Sequence, residues 1–376
     1  METADTYIFT EPVKKLSIFR LSLVIAVLGG LMFGATLTFA KWQGSEVVGS
    51  HESWFAAYVD VTSMPTYAFE KRGDALDSDV VLSFIVSDKE EACVPTWGGY
   101  YDMNEAAGSL DLDRRIARLQ QQGGRIAISF GGAFNSELAL HCTDHAALVT
   151  AYRAVIDRYN INTIDIDLEN ESLRNVEAAT RRAVALAEVQ KYYQDNGRTL
   201  AIWLTLPVIT QGLLPEGTEA VTVMLKNGVD VAGVNLMTMN YGPSKPDEQS
   251  MFEASKKALI ETHRQLGVIY KLQGINLSAS TLWSKIGATP MLGQNDVVTE
   301  IFTLDDAVAL NAFALEQGVG RMSMWSANRD IMCGENYVDV KVVSDVCSGV
   351  KSPVSAFSQA LSLGFEGDLM QSANMI

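Results

Sequence analysis

The sequence predicts an α/β protein folded as a closed (β/α)8 TIM barrel, preceded by an N-terminal transmembrane or signal segment. Three observations carry that reading. Eight short apolar runs recur between Ser53 and Ser326. Polar or helix-period stretches lie between them, and strictly alternating strands and helices imply parallel pairing with right-handed crossovers. No internal repeat or low-complexity linker breaks the series. Eight such units over this length suit a barrel. A doubly wound open sheet is the alternative, but neither GxGxxG nor GxxxxGK[ST] follows the first strand, so nothing supports nucleotide binding.

The elements follow in order. "SWFAAYVDV" from Ser53 and "DVVLSFIVS" from Asp79 are the first two strands. "GRIAISFGG" from Gly124 is the third, after a polar helix-like stretch ending in "RLQQQGG". From His145 to Asn160, Leu148, Ala151, Val155 and Tyr159 recur at helical spacing. "NTIDIDLEN", Asn162 to Asn170, is the fourth strand. A single long helix is expected from about Leu173 to Gln194, carrying Leu173, Val176, Ala183 and Leu186. "TLAIWLTLP" from Thr199 and "VAGVNLMTMN" from Val231 are strands five and six, and a helix covers roughly Met251 to Leu266. "KIGATPML" from Lys285 and "GRMSMWS" from Gly320 complete the set. After Cys347 the expectation is a loose tail with at most one short helix.

The chain has 376 residues, 48% apolar and 20% charged, which is globular composition. Its net charge of −16 repels phosphate, so nucleic acid is excluded as a partner and a neutral partner fits. Leu21 to Ala40 carries no charge and is long enough to span a bilayer, with Lys14, Lys15 and Arg20 before it. Residues 1–20 are then cytoplasmic and 21–40 are a signal anchor or a cleaved signal peptide. The expected plan continues with a linker over 41–52, the barrel over 53–349 and the tail over 350–376. Export places Cys93, Cys142, Cys333 and Cys347 in an oxidising compartment, where four cysteines allow three pairings. No CxxC spacing suggests zinc.

The fourth strand poses the functional question. Strand side chains alternate faces, so Ile164, Ile166 and Leu168 point one way and Thr163, Asp165, Asp167 and Glu169 the other. In a barrel the apolar set packs on the helices. The acids line the inside and rise to the C-terminal rim, where barrel active sites sit. Burying three carboxylates without partners costs several kcal/mol each, so stability alone does not explain them. Two chemistries suit such a ladder. One is a divalent cation held by the acids. The other is acid catalysis, with crowded negative charge keeping a proton in the cluster and Glu169, uppermost, as its donor.

"IDIDLE" resembles the DxxDxDxE signature of glycoside hydrolase family 18, the chitinases. "ISFGGAFN" from Ile128 resembles that family's SxGG motif, and "NLMTMNYG" from Asn235 its Met-x-Tyr strand in the bacterial form. "KIGATPMLGQND", "GRMSMWSANRD", "FAAYVDVT" and "CVPTWGG" resemble further motifs of the bacterial group. The similarity covers about Ser53 to Gly349.

The resemblance implies a TIM barrel that hydrolyses β-1,4 linkages of chitin or chito-oligosaccharides, with no cofactor and no metal. The implied mechanism retains configuration and uses the substrate acetamide as nucleophile, an exception to the two-carboxylate pattern. Glu169 matches the general acid. Asp167 matches the residue that orients the N-acetyl group, and Asp165 the carboxylate beneath, sharing a proton with it. Tyr241 matches a tyrosine that hydrogen-bonds the acetamide, and Trp325 the indole floor. Met239 and Asn240 lie in the same motif as Tyr241 and are assigned to substrate contact. Gly131 and Gly132 let the backbone turn closely at the rim. Trp97, Tyr100, Tyr101 and Phe134 fall on candidate rim loops and offer faces for sugar rings.

Asn162, Asn170 and Asn240 depart from the family's commoner Asp, Gly and Asp. An endo-β-N-acetylglucosaminidase acting on N-glycans is the alternative within the same chemistry. A non-catalytic, lectin-like chitin binder is the alternative outside it, and Glu169 argues against that one. The short segment between Cys333 and Cys347 favours their pairing, and proximity and the resemblance then pair Cys93 with Cys142. The expected protein is exported, tethered at the membrane or secreted, and monomeric.

Overall fold

Eight parallel strands form a ring. β1 runs through Trp54–Phe55 and Ala57–Asp60. β2 is Val80–Ser87, β3 Ile126–Gly131, β4 Thr163–Asp167 and β5 Ala201–Ile209. β6 is Val231–Met237, β7 Ile286–Thr289 and β8 Arg321–Met322. Neighbours pair in parallel in that order. β1 closes the circle, with Trp54 opposite Arg321 of β8 and Ala57 opposite Val80 of β2. Seven of the eight apolar runs contain one of these strands, and β5 runs two residues past the fifth, to Ile209. The computed structural model describes residues 22, 29, 52–71, 79–335, 337 and 342–369. Of the apolar segment 21–40 only Ser22 and Gly29 fall among them, so the expected anchor or signal peptide lies outside the described residues. Among the described residues no helix is long and apolar enough to cross a membrane.

Helices cover the outside of the ring. α1 is Leu112–Gln121, α2 His145–Tyr159, α3 Val176–Asp195 and α4 Pro215–Lys226. α5 is Met251–Leu272, α6 Leu304–Gln317 and α7 Ala356–Ser362. Local chemistry sets their ends. Asp144 accepts from the Ala147 amide at 2.8 Å to start α2, and Ser250 with Glu253 forms a capping box on α5. The expected single helix from Leu173 to Gln194 is two. A short helix, Asn170–Arg174, ends at Asn175, whose extended backbone (φ −77°, ψ 109°) breaks the ladder. The Asn175 side chain then accepts from the Ala178 amide at 2.9 Å and restarts the chain as α3.

Two apolar regions result. Ile164, Ile166 and Leu168 pack outward against the helices. Trp54, Tyr58 and Trp203 fill the interior, with Phe84 and Trp325 against them. The described part of the segment after Cys347 is packed against the barrel rather than loose. Phe357, Leu361 and Phe365 are buried, and Asn311 of α6 donates to the carbonyls of Leu361 and Leu363 at 3.0 and 2.9 Å. The Gly367 amide donates to the Ser53 carbonyl at 2.8 Å, and the Thr163 hydroxyl to the Leu369 carbonyl at 2.9 Å. The segment thus meets the N-terminal ends of β1 and β4 through its backbone, while Phe357 and Leu361, one helical turn apart, bury one face of α7. Cys93 pairs with Cys142 and Cys333 with Cys347, with Cα separations of 4.7 and 5.0 Å.

Candidate active site

β4 delivers the acids as its alternation requires. Asp165 is fully buried inside the barrel, and both of its oxygens are occupied. One accepts from Arg321 Nη1 at 2.6 Å and from the Thr205 hydroxyl at 2.7 Å. The other accepts from the hydroxyls of Tyr58 and Ser129, each at 2.8 Å. These donors come from β8, β5, β1 and β3, so half of the ring's strands hold this carboxylate in place. Asp167, one step higher, differs. Its Oδ1 is buried and has no hydrogen-bond partner in the protein. Burial, then the nearby charges of Glu169 and Asp165, raise its carboxyl well above the usual range, against the opposing pull of Arg321. Glu169 stands just beyond β4, half-buried, as the cap residue of Asn170–Arg174. Its carboxyl is pushed up to about 7, first by burial and then by the charge of Asp296. Among the described residues no set of three His, Cys, Asp or Glu side chains is arranged to hold a metal ion.

The glycine pair of β3 is required by close approach. A Cβ on Gly131 (φ +107°) would lie 2.0 Å from the Asp167 carbonyl oxygen. One on Gly132 (φ +89°) would meet the Phe84 ring at 2.9 Å. The Gly132 amide donates to that same Asp167 carbonyl at 3.1 Å. The glycines thus set the height of Asp167 and leave space for an aromatic floor. Trp325, half-buried, stacks on Phe84 with ring centres 5.5 Å apart and meets Tyr58 edge-on at 6.0 Å. Trp325 is therefore next to the residue that holds Asp165. Phe84 belongs to the same floor, and sequence reasoning missed it, since it sits inside a run that reads only as a buried strand.

The rim divides the aromatic candidates. Tyr100 and Phe134 are 70% and 85% exposed on adjoining loops, which the Asn135 side chain joins by donating to the Gly98 carbonyl at 2.9 Å. Tyr101 is half-buried and packs against the core. Trp97 is corrected: it is buried, its indole donates to the Tyr159 hydroxyl at 3.1 Å, and it serves packing rather than sugar contact. Tyr241 is corrected too. It is buried, and its hydroxyl donates to Ser255 of α5 at 3.1 Å, into the helix layer and away from the acids. Its backbone amide and that of Gly242 donate to the buried Glu300 at 2.9 and 2.7 Å, which turns the chain this way. Met239 is buried beside it.

Asn240 takes a left-handed backbone (φ +52°) and donates to Asp296 at 2.8 Å. The Val297 amide donates back to its side chain at 3.2 Å. Asp296 closes the "KIGATPMLGQND" stretch, so its motif was visible but its action on Glu169 was not. Asn170 also sits at positive φ (+48°), where glycine or asparagine is favoured, and its amide donates to the Ala133 carbonyl at 3.2 Å. The arrangement can hold a proton at the rim, offer a buried carboxyl beneath it, and stack a ring on an aromatic floor.

A closed (β/α)8 barrel with acids rising along one strand to its C-terminal rim places those acids where barrel enzymes carry their chemistry. No family model matches the chain. It is 32% identical over 312 residues to a probable bifunctional chitinase/lysozyme of Escherichia coli (strain K12), covering 79% of this chain and 34% of that protein. It is 32% identical over 311 residues to endochitinase 11 of Metarhizium anisopliae, covering 78% of this chain and 56% of the relative. The chain thus spans about a third and about half of the length of these curated relatives. The catalytic domain of the hyperthermophilic chitinase of Pyrococcus furiosus superposes with a TM-score of 0.71 at 28% identity, over 86% of this chain and 98% of that one. The chain is thus similar in sequence and in fold to proteins named as chitinases.

Proposed function

We propose that this protein hydrolyses β-1,4 linkages between N-acetylglucosamine units, in chitin or chito-oligosaccharides, with retention of configuration. The observation that carries this reading is the pair above Asp165. A glutamic acid raised to about 7 stands at the rim, and a buried carboxyl with a free oxygen lies directly beneath it. An acid with that value is about half protonated near neutrality and can protonate a glycosidic oxygen. Asp167 Oδ1 is then the partner for the substrate's acetamide N–H. Holding that N–H aims the acetamide oxygen at the anomeric carbon, where it displaces the leaving sugar as Glu169 gives up its proton. Water then opens the cyclic intermediate, with Glu169 taking the proton back. Trp325 and Phe84 supply the floor under the reacting ring, and Phe134 and Tyr100 supply exposed faces for further sugars. Relatives named as chitinases support the substrate class.

We read residues 21–40 as an export signal or anchor and the barrel as acting outside the cytoplasm, as a monomer. Two disulfides support that placement.

The test is hydrolysis of a chitin oligomer against a fully deacetylated oligomer of equal length. Cleavage of the acetylated chain alone is expected. Equal rates on both would remove the acetamide from the mechanism and turn attention to an enzyme nucleophile.

A further inference from the structure

We propose that Arg182 of α3 is a positioning residue for Glu169, acting through a buried ion pair with Glu137 that locks the short helix after β4 onto the loop after β3. This rests on Glu169 being the proton donor, as read above, and adds what holds that donor in place.

Glu169 precedes Asn170–Arg174, a helix of 5 residues. A helix this short does not hold its own position. The Leu173 amide donates back to the Glu169 carbonyl at 3.2 Å, so whatever fixes the helix fixes the backbone of Glu169. The fixing point is Ser172, which is 3% exposed. Its hydroxyl accepts from the Glu137 amide at 3.3 Å, and its carbonyl accepts from Arg182 Nη2 at 3.0 Å. Arg182 Nε donates to Glu137 Oε2 at 2.8 Å, and both side chains are buried. One planar guanidinium therefore spans two segments with two nitrogens in a fixed fork.

Glu137 is held in its turn. The Ala139 amide donates to the same carboxylate oxygen at 3.0 Å, and the Tyr152 hydroxyl of α2 donates to the other. Glu137 caps the short helix Leu138–His141, whose Ala139 carbonyl also accepts from Arg181 Nη2 at 2.8 Å. A Cβ on Gly131 would come 3.4 Å from the Glu137 Cβ. The pair thus stands directly behind the glycine that faces the Asp167 carbonyl.

Stability alone does not explain such a pair, because a well-packed apolar pair in its place is often as stable or more so. An apolar pair cannot tie the Ser172 carbonyl and the Glu137 carboxylate to one rigid group. Ser172 lies about one helical turn beyond Glu169, so a shift there is carried to the donor. A misplacement of about 1 Å at a reacting group costs on the order of 100-fold in rate.

The experiment compares two substrates. A chitin oligomer has a leaving sugar that needs a proton. A dinitrophenyl chitobioside has a leaving phenolate that needs none, and its release is followed in the first turnover, before water opens the intermediate. Removing Arg182 alone would strand the buried Glu137, so the variant carries Glu137→Gln with Arg182→Met. The new amide can still accept from the Ala139 amide and donate to the Tyr152 hydroxyl. This variant is expected to keep a denaturant midpoint near that of the wild type. Its kcat on the oligomer should fall by about 100-fold with KM little changed. Its first-turnover release of phenolate should stay close to the wild-type rate. A merely structural pair would slow both substrates alike, in proportion to the folded protein lost, and that result would overturn the proposal. Unchanged turnover on both substrates would overturn it too. If the double variant does not fold, Arg182→Lys takes its place: it keeps the charge but lacks the fork, and should slow the oligomer alone. Glu169→Gln separates the two readings. It should lose oligomer cleavage and keep first-turnover phenolate release. If it does so while the Arg182 variants show no such selectivity, the role of Arg182 fails by itself. If Glu169→Gln slows both substrates equally, the reading of Glu169 as proton donor fails instead.

Discussion

Glu169 shows how much of a residue's chemistry is set by groups far away in the chain. Burial is the larger cause of its raised value, and Asp296 is the second. Asn240 keeps Asp296 in place by donating to it at 2.8 Å, where an aspartate at 240 would set two carboxyls against each other. A general acid must be protonated to act, so kcat/KM should fall as pH rises through about 7. Asp296→Asn removes a negative charge near Glu169 and so lowers its value. The alkaline limb of the kcat/KM profile should therefore move to lower pH, while the limb of a variant at a remote exposed acid such as Asp195 stays in place. An unmoved limb in Asp296→Asn would show that burial alone tunes the acid. None of this could be read from a single stretch, since Asp296 and Glu169 meet only when β4 and the loop after β7 share a rim.

Elements position these residues through close backbone contact, and β3 with β4 is the tightest case. Gly131→Ala would place a methyl 2.0 Å from the Asp167 carbonyl, at a φ of +107° that side chains rarely adopt. The strands must separate at the level of Asp167. A loss of about 1–3 kcal/mol in denaturant unfolding is expected from the backbone strain alone. Turnover should fall further than stability, because the displaced atom belongs to Asp167, the residue proposed to hold the acetamide. Unchanged turnover in a folded Gly131→Ala would mean that Asp167 is positioned from elsewhere. The strands themselves were legible because parallel barrel strands, buried on both sides, read as continuous apolar runs. The ladder was legible because a period of two puts acids on one face. The rest was hidden for particular reasons. Arg321 is a lone basic residue in an apolar run, and its partner lies 156 positions away. The break at Asn175 depends on one side chain reaching forward to the Ala178 amide. Trp97 and Tyr241 sit in motif loops that look exposed, and only the packed structure shows their polar atoms turned onto Tyr159 and Ser255.

For the whole molecule, the same burial that makes an acid also weakens the fold above the acid's ordinary titration range. Glu169 in the unfolded chain has the usual glutamate value near 4.3. In the native barrel it is raised to about 7. Between those values the native state holds a proton that the unfolded chain has lost, so stability falls as pH rises across this window and stays low above it. Asp167 acts in the same direction, and burial also raises Asp79 and Asp230. Glu169→Gln lacks the titrating group, keeps the shape, and should lose nearly all turnover because an amide cannot donate the proton. It should also be more stable than the wild type above the window, by up to about 3 kcal/mol at pH 8. At pH 4, where both states of the wild type hold the proton, the difference should nearly vanish. Denaturant midpoints of the two proteins, measured at several pH values between these limits, check this directly. Curves that diverge as pH rises are the expected result. Parallel curves would mean that Glu169 titrates alike in the folded and unfolded chain, and the stability lost would then have to be traced to Asp167 beneath it.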